Sequence, residues 1–119
     1  MKKKSNLKIT VGGDFENEAG RRFVRAWRRA ERGEKFSERH LTFENWDALA
    51  RVLTGKRMEL LRYVRRHEVS SVRALAKALM RDYSNVHSDV EALSAAGLLD
   101  MAGGKVRADY DAIETRIAI

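Results

Sequence analysis

Between positions 83 and 88 the sequence sets Tyr83, Ser84, Asn85, His87 and Ser88, short or planar side chains that donate and accept hydrogen bonds. On the exposed face of a helix, such groups match the donor and acceptor pattern of base edges in a DNA major groove. A helix N-terminus at the same place would add unpaired N–H groups and partial positive charge, both suited to phosphate. Arg73 and Arg81 lie upstream as candidate phosphate contacts. Lys105 and Arg107 lie downstream, where they can meet a flanking backbone or minor groove. These nine residues form the candidate duplex-DNA-binding set.

Other chemistries find little support. The chain has no cysteine, which removes disulfides and thiolate metal ligands. His40, His67 and His87 fall in three separate segments, so no metal site is expected. There is no phosphate-binding loop and no third glycine to make Gly12 and Gly13 a dinucleotide fingerprint, so that pair reads as a turn. Asp109 and Asp111 flank Tyr110 without the context of a general acid and base. No catalysis and no cofactor is expected. The candidate residues also have structural roles open to them. Ser70, Ser71 and Ser84 can cap helices, Asp82 can cap or turn, Tyr83 can pack, and Asp89 can pair with a nearby arginine.

The reading head needs elements to hold it. Val72, Leu75, Ala76 and Leu79 predict a short helix over residues 71–79. Val86, Val90, Leu93 and Ala96 predict a second over 84–96, closed by Gly97. Residues 98–101 and 105–110 read as strands joined at Gly103 and Gly104, a wing-like hairpin. Upstream, Met58, Leu61, Tyr63 and Val64 form the stripe of a helix capped by Thr54. Phe43, Trp46, Leu49, Ala50 and Leu53 form another, opened by Thr42 with Asn45 close behind. Leu7, Ile9 and Val11 alternate with Lys8 and Thr10, the period of a half-buried strand. Phe15, Ala19, Phe23, Ala26, Trp27 and Ala30 then predict an amphipathic helix ending near Gly33, while residues 34–41 look irregular or extended. Ile113, Ile117 and Ile119 suggest a final extended or short helical piece.

Residues 71–79, then Arg81, Asp82, Tyr83, Ser84, Asn85, Val86, Asp89 and Val90, then Leu93, Gly97, Leu98 and Leu99, resemble the MarR/ArsR-type regulators. More narrowly, the run is similar to small prokaryotic predicted regulators described as MarR-like, which share an Arg-Asp-Tyr-Ser-x-Val-x-x-Asp-Val pattern. The resemblance spans roughly residues 36–112. It implies a mainly α fold with a small β wing: a winged helix-turn-helix preceded by an N-terminal strand and amphipathic helix. It also implies a DNA-binding repressor, and in the narrower group often the antitoxin of a toxin–antitoxin pair. Asp89 and Glu91 depart from a strong DNA binder by making this helix acidic.

The net charge of +7 favours a polyanionic partner. It is unevenly spread: residues 1–42 hold 12 basic and 6 acidic residues, whereas 43–97 hold 9 and 7. This split keeps a second class in view, an antitoxin-type module that neutralises a partner toxin. The expected organisation is a strand-helix segment over 1–42, for dimerisation or partner binding, and a DNA-binding domain over 43–119. A strand over residues 7–11 has two open edges, so it is expected to pair across a homodimer or onto the C-terminal isoleucines. No apolar run is long enough to span a bilayer, and none follows the basic N-terminus as a signal peptide would need. A soluble, cytoplasmic protein with no membrane partner is expected.

Overall fold

The computed structural model describes residues 6–12 and 38–119. The amphipathic helix expected over residues 15–33 lies outside them.

Strand β1 (Asn6–Val11) runs between β2 (Glu38–Phe43) and β5 (Ala112–Ile117), and both neighbours are parallel to it. On one face the apolar residues of β1 meet mixed neighbours. Leu7 lies between Arg39 and Ile113, Ile9 between Leu41 and Thr115, and Val11 between Phe43 and Ile117. The strand is not half-buried, because its polar face is covered as well. Thr10 is wholly buried and Lys8 is 7% exposed. Parallel strands are commonly covered on both faces, and a buried cation then needs a partner. Lys8 has one in an ion pair with Glu114, whose other oxygen accepts from Asn6 Nδ2 at 3.1 Å. Thr10 Oγ1 and His40 Nε2 share a hydrogen bond of 2.6 Å.

Four helices and a hairpin complete the described chain. Helix α1 (Trp46–Val52) starts where Asn45 Oδ1 accepts the Ala48 N–H at 2.8 Å. Helix α2 (Gly55–Arg66) is capped by Thr54, and α3 (Val72–Leu79) by Ser71. Helix α4 (Tyr83–Ala95) is capped by Asp82, which accepts from the Asn85 N–H at 3.3 Å. Ser84, a candidate cap in the sequence, stands inside the first turn instead. Strands β3 (Asp100–Ala102) and β4 (Lys105–Arg107) pair antiparallel around Gly103 and Gly104, both at positive φ as a two-residue turn requires. The Val106 N–H donates to the Val69 carbonyl at 3.1 Å, which ties the hairpin to the segment after α2.

The contacts divide the chain into two units, Met1–Leu49 with Tyr110–Ile119, and Ala50–Asp109. The core of the second includes Leu60, Leu61, Val64, Leu75, Val86, Val90, Leu93, Leu98 and Val106. A cut at residue 42 does not follow these units, since the end of the chain returns to β1.

The mainly α winged helix-turn-helix class expected from the sequence is overturned. The described residues hold four helices and five strands, three of them in a parallel sheet. Of residues 34–41, expected to be irregular or extended, 38–41 lie in β2, whose period Glu38, Arg39 and His40 hide. Phe43, assigned to a helical stripe, ends that strand. The isoleucine-rich end is a strand, and supplies the second partner that β1 lacked.

Candidate nucleic-acid interface

Val86, Val90 and Leu93 face the core, so the opposite side of α4 faces solvent. Ser84 and Ser88, four positions apart, share that side with Asn85, three before Ser88. All three are exposed. The first turn also carries the N-terminal end of the helix dipole.

Beside this stripe the structure builds a cation–aromatic stack. The Arg73 guanidinium lies 4.8 Å from the Tyr83 ring centroid. On the same helix the Tyr83 and His87 rings sit 5.7 Å apart, tilted by 39°. His87 Nε2 approaches Glu91 Oε1 at 3.6 Å. Arg73, Tyr83 and His87 thus come together across α3 and α4, while Tyr83 keeps an exposed face. On the hairpin, Lys105 and Arg107 point out on either side of buried Val106. Arg107 Nε stands 3.9 Å from Asp109 Oδ1.

Arg81 is placed differently from the other candidates. Its Nη2 donates to Asp89 Oδ2 at 2.8 Å, while Arg57 Nε donates to Asp89 Oδ1 at 2.9 Å. One carboxylate holds two guanidiniums. Arg57 also donates through Nη1 to the carbonyls of Arg51 and Val52, at 3.1 and 3.0 Å, fastening the end of α1. Burial alone would raise the Asp89 carboxyl, but the hydrogen bonds from Arg57 and Arg81, with their charges, outweigh it and hold it below its ordinary value. Among the described residues, Arg81 Nη1 is buried with no hydrogen-bond partner. The structure thus places the candidate Arg81 mostly buried and held to α4 through Asp89.

Arg57 was absent from the sequence-derived set, yet two signals point to it. It sits in the first turn of a helix with no acidic residue there, the end where a cation is disfavoured. Asp89 meanwhile falls at i+3 from Val86 and i−4 from Leu93, within the buried stripe, where a carboxylate demands a cation. Among the described residues no group of histidines and carboxylates could hold a metal, and no helix is long and apolar enough to cross a membrane.

Fold and surface define a small mixed α/β protein whose helix α4 shows a polar face to solvent. The chain belongs to the family described as HVO_A0114, whose model matches residues 52–115, more than half of the 119. No curated protein and no solved structure matches it.

Proposed function

We propose that this protein is a cytoplasmic, sequence-specific duplex-DNA-binding regulator of transcription, acting as a repressor and reading DNA with the outward stripe of α4. One observation carries the reading. Ser84, Asn85 and Ser88 stand exposed together at the start of a helix, and no hydrogen bond within the described residues engages their side chains. Cations supply what phosphate needs: Arg73, stacked on Tyr83 beside this stripe, and the exposed Lys105 and Arg107 of the hairpin. The resemblance of residues 36–112 to MarR/ArsR-type regulators supports the same reading.

The test is fluorescence anisotropy on the DNA upstream of the protein's own gene against scrambled duplex of equal length. A specific reader binds its site about 10³-fold or more tighter than scrambled duplex at physiological salt. Equal affinities would remove sequence reading, and no binding to either would remove the DNA role.

The basic excess in residues 1–42 favours a second reading, an antitoxin-type module for an acidic toxin. Co-expression with the product of the adjacent gene tests it: a stable complex and relief of that product's toxicity are expected, and neither appears if the module reading is wrong.

A further inference from the structure

The sheet has two edges, and they differ. Among the described residues no strand pairs with the outer edge of β5, and most of its residues are exposed, Ile117 by 48%. Such an edge is a template for another strand, and residues 112–117 hold no proline to block it.

The order of residues along this edge is symmetric. Ile113, Glu114, Thr115, Arg116 and Ile117 read apolar, acidic, polar, basic, apolar. If two copies of the strand meet antiparallel with Thr115 opposite Thr115, Glu114 faces Arg116 and Ile113 faces Ile117, each twice. A two-fold interface requires this kind of self-complementarity. The other edge lacks it: β2 turned against itself about His40 sets Arg39 opposite Leu41, and about Leu41 sets Arg39 opposite Phe43.

The backbone is in the right phase. The Ala118 N–H donates to the Val11 carbonyl at 3.0 Å. Alternation along the ladder then turns the N–H and C=O of Glu114 and Arg116 toward β1, and those of Ile113, Thr115 and Ile117 outward. In the symmetric register, Thr115 and Thr115 form a hydrogen-bonded pair. Glu114 and Arg116 fall at non-hydrogen-bonded positions, where facing side chains come closest.

We propose that β5 is the interface of a homodimer. Two copies join β5 to β5 about a two-fold axis at Thr115, making one six-stranded sheet that is parallel within each subunit and antiparallel at its centre. Glu114 is then shared between Lys8 of its own chain and Arg116 of the second copy.

The full chain should sediment as a dimer at tens of micromolar. Because it contains no cysteine, Thr115→Cys introduces a single thiol that faces itself, with a Cα separation of about 5.5 Å, inside the disulfide range. Ala112→Cys, which faces position 118, is the control. Mild oxidation should cross-link Thr115→Cys about tenfold faster or more. Thr115→Pro removes an outward N–H and no bond to β1, so it should give a monomer with unchanged circular dichroism. Arg116→Glu sets two like-charge pairs across the axis and should weaken the dimer about tenfold or more. A monomeric wild type, equal cross-linking of the two cysteine variants, or a dimer undisturbed by Arg116→Glu would each overturn the interface. If Thr115→Pro fails to fold, cross-linking and Arg116→Glu still decide. All measurements are made without DNA, so their failure leaves the DNA reading standing.

Discussion

Arg57 Nε lies 2.9 Å from Asp89 Oδ1, a contact that spans 32 positions of sequence and joins the first turn of α2 to the middle of α4. With Arg81 on the second oxygen, Asp89 bridges two guanidiniums with one carboxylate. Asp89→Ala should cost about 2–4 kcal/mol, near the range for breaking a buried pair, since Arg57 and Arg81 are 17% and 20% exposed. Urea denaturation followed by circular dichroism measures it. A loss under ~0.5 kcal/mol would mark the triad as an ordinary surface pair.

The same carboxyl gives stability an acid limb. Its folded pKa lies below the unfolded value, so its contribution is complete above the unfolded value and is lost as pH falls through the folded one. Between pH 6 and pH 2 the wild type should lose more stability than Asp89→Asn, which has no proton to take up at that site. Parallel pH profiles would show that other carboxylates govern acid unfolding.

The two candidate caps of α4 separate cleanly by mutation. Asp82 accepts the Asn85 N–H, so Asp82→Ala should destabilise by about 0.5–2 kcal/mol. Ser84→Ala should stay within ~0.5 kcal/mol, since its hydroxyl caps nothing. Thermal melts of both variants decide, and a reversed order would reassign the cap.

Met80 closes α3 at φ 55, a left-handed conformation that is costly for a side chain, and it is 91% exposed. Met80→Gly removes that strain and no packing, and should raise stability by about 1 kcal/mol. Unchanged or lowered stability would show that the turn tolerates methionine without cost.

On DNA, the variants should divide by role. Asn85→Ala should cost about 1–3 kcal/mol on the preferred site and relax one base pair. Lys105→Ala should weaken all sequences alike and flatten the salt dependence by about one unit. Arg81→Ala should lower folding stability and leave the salt slope of the folded protein unchanged. Equal, sequence-independent losses for Asn85→Ala and Lys105→Ala would count against base reading by Asn85.

Helices α2, α3 and α4 were legible in the sequence because local signals agree: Thr54 and Ser71 cap, the apolar residues recur at three and four, and Gly97 follows the last turn at φ 88. The sheet was legible only in part: pairing of Leu7–Val11 onto the C-terminal isoleucines was one of two expected outcomes, whereas the pairing of Leu7 with Arg39 joins partners that no local period names. Lys8 and Thr10 looked like a solvent face, although charge on a central strand signals a partner only once Glu114 is brought beside it. Within the site, the exposed triplet Ser84, Asn85 and Ser88 followed from the α4 stripe alone. The placement of Arg81 depended on Arg57, which lies two elements upstream.

The pairing of Lys8 with Glu114 also sets an order of events during synthesis. The two residues are 106 positions apart, so at ~5–20 residues per second β1 leaves the ribosome roughly 5–20 s before β5. In that interval the helices and hairpin within residues 50–109 have their partners at hand, and β2 can already lie along one side of β1. The other side of an apolar strand waits, with its backbone groups open to any extended chain that reaches them. The sheet closes last, and the nascent chain is most exposed to mispairing and to chaperones through β1, although in the finished fold β1 is the strand most completely covered.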